Sequence, residues 1–339
     1  MKNILIIYTG GTIGMVQDPR TGALKPLSIS NLYKFLPVLE NFDYRLDFYT
    51  FDPLLDSSDM HPSFWSDLAG VIEDRYEQFD GFVVLHGSDT MAYTASALSF
   101  MLENLNKPVI FTGSQLPIGM VRTDGRENFI NAIEIAAAYE EGTPIVPEVA
   151  ICFDNKLFRG NRTSKFNAEH FGAFVSGNYP LLAEVGVRIR YHKDRILKPD
   201  FKKLKVHKDL DDNIAILKLF PGIHENVVHN ILHIPELKAV ILETFGAGNA
   251  PTAKWFLDEL KQAVDRGIIL FNVTQCKGGT VEMGKYETSA ALGSLGVVGG
   301  YDITTESAVT KLMYLLACGF PRPELERYLQ TSLRGEMTV

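Results

Sequence analysis

Cysteine is scarce in this chain of 339 residues: only Cys152, Cys276 and Cys318 carry a thiol. None stands in a CxxC pair, and an odd count does not make a disulfide framework, so a reducing compartment is expected. Long apolar runs are absent too, and nothing approaches the ~18–20 apolar residues of a membrane helix. At the N-terminus one lysine precedes the short apolar run Ile4–Tyr8, well under the ~7–15 residues of a secretory core segment. The expected location is cytoplasmic. An excess of positive charge is also missing. The net charge of −8 disfavours phosphate backbones and anionic lipid surfaces, so neither nucleic acid nor membrane is expected as a partner.

Metal and nucleotide signatures are lacking as well. The histidines are read as not clustering; there is no HExxH, no Cys/His pair at zinc spacing and no acidic calcium loop. Gly10, Gly11 and Gly14 do not fit the dinucleotide pattern GxGxxG, and no phosphate-binding GK[ST] follows. No metal and no cofactor is expected.

What is present is bulk and rhythm. A single core stops growing near ~250–300 residues, so this length suits two domains, and 46% hydrophobic residues supply both cores. Asn3–Tyr8, Asp47–Phe51, Phe82–Leu85, Val109–Thr112 and Val149–Phe153 read as strands. The spacing of Met91, Ala95, Leu98, Leu102 and Leu105 predicts a helix between them, capped by Asp89 or Thr90. Asn128–Tyr139 reads as another. Nearly continuous apolar strands alternating with amphipathic helices indicate an α/β fold with a mainly parallel sheet covered on both faces. Residues 191–212 are rich in lysine and aspartate and read as a polar surface linker or strand pair. The rhythm then restarts at Ala215–Phe220, Ala239–Leu242, Thr252–Arg266, Ile268–Val273 and Thr305–Ala317. A larger N-terminal catalytic α/β domain (1–190), a linker (191–212) and a smaller C-terminal α/β domain (213–339) are expected.

In open α/β sheets ligands bind beyond the carboxyl ends of strands. Two hydroxyl-bearing segments fall there, Tyr8-Thr9-Gly10-Gly11-Thr12-Ile13-Gly14 and His86-Gly87-Ser88-Asp89-Thr90. Glycines let the backbone approach a ligand and expose amide N–H groups, while Thr12 offers a hydroxyl in the same turn. Alone, such a segment is more often just a tight turn, and Asp89 has an equally good reading as a helix cap. Asp56-Ser57-Ser58-Asp59 is by itself an ordinary acidic loop. A nucleophilic alcohol needs a base; Lys165, after Arg159-Gly160-Asn161-Arg162-Thr163-Ser164, is a candidate that locally looks like a surface lysine. His86, after a buried strand, reads as a packed structural residue.

Taken together the segments carry more. TGGTIG, HGSDTMAYTASALSFML, TGSQ at 112–115 and RGNRTSK at 159–165 resemble the asparaginase family. DSSDM at 56–60, GNAP at 248–251 and LRGEMT at 333–338 are similar to its cytoplasmic type I bacterial branch. The resemblance spans nearly the whole chain, in order. It implies a threonine-dependent amidohydrolase of L-asparagine, with L-aspartate as product and no cofactor. It also implies self-association to a homodimer or homotetramer, with sites at the dimer interface. Thr12 would be the nucleophile, with Ser88, Asp89 and Lys165 as a proton relay. Asp89 would also pair with the substrate ammonium. Asp56 and Ser57 would bind the α-amino and α-carboxylate groups. Backbone amides around Thr12 and Ser88, at Gly11 and Gly87, with the Gly113-Ser114 turn, would form the oxyanion pocket.

Three departures stand out. Ser88 replaces the family's usual threonine, keeping the hydroxyl and losing a methyl. The loop Met15–Ser30 has no tyrosine, and Leu24 lies about where one is usual; Tyr286 is the candidate replacement, which unchanged turnover in Tyr286→Phe would rule out. Glu243 stands where some type I enzymes carry an arginine that binds effector asparagine, so no activation through that site is expected. Other readings are a dual glutaminase-asparaginase, a tRNA-dependent amidotransferase subunit, a lysophospholipase, and a non-catalytic amino-acid-binding protein on the same scaffold. The amidotransferase would need a tRNA-binding domain for which there is no room. Loss of Thr12 or Lys165 would mark the binding protein, and both are present.

Overall fold

Ile4–Ile7 and Phe82–Val84 are buried throughout, as expected of strands covered on both faces. The computed structural model describes residues 1–17, 24–26, 36–41, 43–285 and 287–339. They form two compact units, Met1–Lys208 and Asp209–Val339. The first holds an eight-stranded sheet: β1 (Lys2–Tyr8), β2 (Tyr44–Thr50), β3 (Gly81–Leu85), β4 (Val109–Thr112), β5 (Val149–Phe153), β6 (Lys156–Arg159), β7 (Ala183–Val185) and β8 (Ile189–Tyr191). Their spatial order is β8-β7-β6-β5-β4-β3-β1-β2. Strands β2-β1-β3-β4-β5 are parallel, and β6, β7 and β8 extend the sheet antiparallel.

Among the described residues, three helices cover this sheet: α1 (Pro62–Arg75), α2 (Met91–Met101) and α3 (Gly125–Ala137). Phe129, Ala132 and Ile133 of α3 pack on Ile4, Ile6, Val83 and Ile110. Residues one step along each strand point to the opposite face. There Phe82 stacks on Tyr76, just after α1, with ring centroids 6.1 Å apart. Helix α2 begins at Met91, with Thr90 in the cap position but making no side-chain cap bond. The expected capping by Asp89 or Thr90 therefore fails, because the Thr90 hydroxyl donates to Ser57 O instead, at 2.6 Å.

The lysine-rich stretch lies against the first unit as far as Lys208. Lys205–Val206 pairs antiparallel with Leu102–Glu103. Lys205 and His207 meet Glu103, and Lys208 meets Glu73 at 2.7 Å.

The second unit is a four-stranded sheet of β9 (Ile214–Lys218), β10 (Ala239–Thr244), β11 (Ile269–Thr274) and β12 (Val298–Gly299), parallel throughout in that order. Its helices are α4 (Glu225–Leu232), α5 (Lys254–Asp265), α6 (Glu287–Ser294), α7 (Thr305–Ala317) and α8 (Arg322–Leu329). Val228 and Leu232 of α4 share a core with Phe256, Leu260 and Ala263 of α5. Gly267 takes φ +95° just past α5, and the N–H of Ile268 returns to Ala263 O, closing the helix as its position predicts.

A second sequence expectation is corrected as well. The histidines do cluster: a ligand atom from each of His229, His233 and Glu259 lies within 4.8 Å of the others. The reading missed this because it assigned no helix over 225–232, and only a helix turns a four-residue spacing into one face.

Candidate active site

The order β2-β1-β3-β4-β5 reverses direction between β1 and β3, and at such a reversal α/β sheets bind ligands in a crevice beyond the carboxyl ends of the two strands. Tyr8 ends β1 and Leu85 ends β3. The two hydroxyl-bearing segments therefore begin side by side. Thr9 N donates to Leu85 O at 3.1 Å, and Leu55 N donates to Thr9 O at 3.0 Å, which adds the Asp56 loop to the pair.

Glycine makes this meeting close. Gly11 has φ +91°, and a Cβ there would lie 2.5 Å from Gly87 N. A Cβ on Gly87 would lie 2.5 Å from Ser57 Oγ, and one on Gly10 would collide with the Leu55 carbonyl. The three loops thus touch backbone to backbone, or backbone to the buried Ser57 side chain. Thr12 opens a short 3-10 turn, Thr12–Gly14. The Tyr8 hydroxyl donates to Gly14 O at 2.9 Å and holds the far end of that turn. Burial pushes the Tyr8 phenol up to about 12.

His86 anchors the second loop from below. A carbonyl can only accept, so His86 Nδ1 carries the proton it gives Gly87 O at 2.7 Å. Nε2 then accepts from Thr94 Oγ1 at 2.9 Å, and Thr94 Oγ1 accepts from Trp65 Nε1 at 3.0 Å. The ring is fully buried, and desolvation lowers its pKa to about 4. It is a neutral strut, as its sequence position suggested.

Lys165 arrives from a different direction. It lies in a two-stranded ribbon, Ser164–Lys165 with Phe174–Val175. Upstream, Arg159 is fixed in the interior by Glu148, Nε to Oε2 at 2.7 Å. Lys165 Nζ donates to Ser88 Oγ at 2.9 Å and to Asp89 Oδ1 at 2.5 Å. The lysine is mostly buried while the Asp89 side chain is 65% exposed. Asp89 therefore presents its carboxylate to solvent and to any ligand in the crevice. Ser88 Oγ donates onward to Gln115 Oε1 at 3.3 Å, and Gln115 Nε2 donates to His170 O. Gln115 is a site residue that the sequence reading quoted in its motif but gave no role; only the folded chain sets it beside Ser88.

Asp56 caps the short turn Ser57–Asp59, accepting from Ser58 N at 2.9 Å and from Ser58 Oγ at 2.7 Å. These bonds, the backbone one foremost, hold its carboxyl below the usual carboxylate range, so it remains an anion. Ser114 is buried and its hydroxyl donates to Leu116 O at 2.6 Å. Asp124 accepts from Gln115 N and Leu116 N and fixes that turn.

Thr12, Gly11, Gly87, Ser57 and the Ser88–Asp89–Lys165 cluster thus belong to one group of interlocked loops, edged by Asp56 and by the Ser114-Gln115 turn. Tyr286 and most of the loop Met15–Ser30 lie outside the described residues. Chemically the crevice offers small hydroxyls, an ammonium group next to one of them, exposed carboxylates and closely apposed backbone amides. Such a set suits a small ligand carrying its own charges.

Residues 3–197 match the family model "Asparaginase, N-terminal", and residues 213–329 match "Glutaminase/Asparaginase C-terminal domain". The chain is 46% identical to L-asparaginase 1 of Escherichia coli, over 99% of this chain and 98% of that protein. It is 40% identical to the 60 kDa lysophospholipase of Mus musculus, over its whole length but only 63% of that longer protein. Among solved structures, L-asparaginase I from Vibrio cholerae superposes with a TM-score of 0.89 at 43% identity, covering 100% of this chain and 99% of that one.

Proposed function

The chain belongs to the asparaginase family of amide-bond hydrolases, and from that premise we propose that it hydrolyses L-asparagine to L-aspartate and ammonia through an acyl-enzyme on Thr12. The contact of Lys165 with both Ser88 and Asp89, on loops interlocked with the Thr12 turn, carries this reading. The Thr12 hydroxyl adds to the side-chain carbonyl as its proton passes to a neighbouring base. The C–N bond then breaks and the nitrogen leaves as ammonia with a proton gained. Water adds to the resulting ester, the bond to the Thr12 oxygen breaks, and aspartate departs. Ser88, Asp89 and Lys165 move the protons. Amides at Gly11 and Gly87 and the turn at Ser114 stabilise the carbonyl oxygen as it becomes negative. Asp89 and Asp56 take the substrate ammonium, and Ser57 its carboxylate side. Tyr286 stands in for the absent loop tyrosine.

Glu243 supports a simple rate law. Its carboxylate pairs with Lys218 Nζ at 3.2 Å and accepts from Thr305 Oγ1 at 2.7 Å. A carboxylate held in that way offers an effector carboxylate no guanidinium to bind. The proposed setting is the cytoplasm and the proposed assembly a homodimer or homotetramer.

Ammonia release from L-asparagine and L-glutamine, measured for wild type and Thr12→Ala, tests the reading. Expected are a hyperbolic dependence on asparagine and a loss of turnover in the variant. One methylene is worth only about 1–3 kcal/mol in a pocket, so residual glutamine turnover fits the same chemistry. A folded wild type that releases ammonia from neither amide would overturn the proposal in favour of a binding protein.

A further inference from the structure

Helices α4 and α5 of the second unit pack through Val228, Leu232, Leu260 and Ala263, leaving His229, His233 and Glu259 together beside this seam. His229 and His233 are one helical turn apart, so their rings share a face. The rings stack with centroids 3.9 Å apart and planes 26° from parallel. Glu259 reaches both from α5: Oε1 lies 3.0 Å from His229 Nδ1, and Oε2 lies 3.9 Å from His233 Nδ1. The Glu259 side chain is only 11% exposed, and its Oε2 is buried without a hydrogen-bond partner. His233 Nδ1 donates to His229 O at 2.8 Å, which holds that ring in orientation.

An ordinary ion pair accounts for this arrangement poorly. His229 meets one oxygen of the carboxylate, yet Oε2 stays buried with no donor, a costly state for a charged group. A single cation shared by both rings satisfies that open carboxylate oxygen. Donors around a tetrahedral ion with bonds near ~2.0–2.1 Å lie about 3.3 Å apart. The present limit of 4.8 Å needs only a small turn of two imidazoles that are 49% and 34% exposed.

We propose that His229, His233 and Glu259 form a binding site for a divalent transition-metal ion, built wholly from residues of the second unit. Imidazole with carboxylate suits zinc, cobalt, nickel or copper rather than magnesium or calcium, which prefer oxygen alone. Three protein ligands leave a position for water. The ion clasps α4 to α5 and stabilises the folded second unit by binding it in preference to the open chain.

The test is titration of the tag-free full chain, stripped with chelator, with zinc chloride in a calorimeter and with cobalt chloride by visible absorption. One ion per chain is expected at the site, with a cobalt ligand-field band and a thermal midpoint that rises with zinc. His233→Asn and Glu259→Gln should each weaken zinc by at least about tenfold, and His229→Asn combined with His233→Asn should abolish the cobalt band. His224→Asn, five residues before the first of the trio, should bind as wild type. All should keep the ammonia-releasing activity of the wild type, which also reports that they are folded. Absence of stoichiometric zinc binding by active wild type would overturn the proposal, as would unchanged binding in the double histidine variant.

Discussion

Acidification should loosen this protein through one ring, His86. Burial lowers its pKa from the ordinary 6.5 to about 4. Between those values the unfolded chain binds a proton at this residue and the folded chain does not. Stability therefore rises with pH across the window and falls as pH drops through it. From pH 7 to pH 4.5 the loss works out at about 2–2.5 kcal/mol, from one unit of pKa being ~1.36 kcal/mol. The same protonation would put a second N–H where Nε2 now accepts from Thr94. The loop bearing Gly87 hangs from Nδ1, so the crevice should loosen before the rest. The assay is urea denaturation at several pH values, for wild type and for His86→Asn, which keeps a donor near Gly87 O but does not titrate in this range. The variant should be less stable at pH 7 and should lose less on acidification. A His86 ring proton resonance titrating with a midpoint near the ordinary value, or identical pH slopes for the two proteins, would refute the reasoning.

Other consequences can be read from single contacts. Lys165→Met removes the ammonium that touches Ser88 and Asp89, and kcat should fall by about 10²–10⁴-fold in steady-state ammonia release while the thermal midpoint stays close to wild type. Lys311 and Glu336 form an ion pair with both side chains wholly buried, Nζ to Oε1 at 2.6 Å. Lys311 also donates to the carbonyls of Leu329 and Thr331, and Glu336 accepts from Leu333 N and Arg334 N. Lys311→Met leaves the carboxylate uncompensated and should cost about 3–5 kcal/mol by chemical denaturation; adding Glu336→Gln should recover part of that loss, and strict additivity would contradict the pairing.

Much of the first sheet is visible in the chain before folding. Val109–Thr112 and Val149–Phe153 carry the expected bounds because each is a strongly apolar run with clear punctuation; in the second unit the helix Thr305–Ala317 does too, marked by its periodicity and the Gly319 and Pro321 that follow. The antiparallel extension was not seen. Lys156–Arg159, Ala183–Val185 and Ile189–Tyr191 are short and mix charge with apolar residues, so their alternation is too brief to register. A signal did exist: Asp154 and Asn155 both take positive φ, 51° and 60°, between the paired Phe153 and Lys156. An Asx pair flanked by apolar residues is a two-residue hairpin turn. At the proposed site, the placement of Thr12, Ser88 and Asp89 just beyond strand ends was legible, because apolar strands followed by Gly-rich turns mark where such sheets bind ligands; the roles proposed for them came from the resemblance. Lys165 was not separable from a surface lysine on local grounds. Its contact with Ser88 spans 77 positions, and only the resemblance singled it out. Gln115 and the triad of α4 and α5 depend on packing or helical phase that local composition does not encode.

The glycine interlock of the three loops has a consequence for how such a crevice can change over time. Where Gly11 meets Gly87 and Gly87 meets Ser57, almost no side chain intervenes, so the floor has little to exchange by substitution. A larger residue at either glycine would force the loops apart rather than reshape a surface. Diversification is confined to the margin, where Asp56, Asp89 and Gln115 project. New substrate preferences in this scaffold should therefore arise from changed rims over a floor that stays the same.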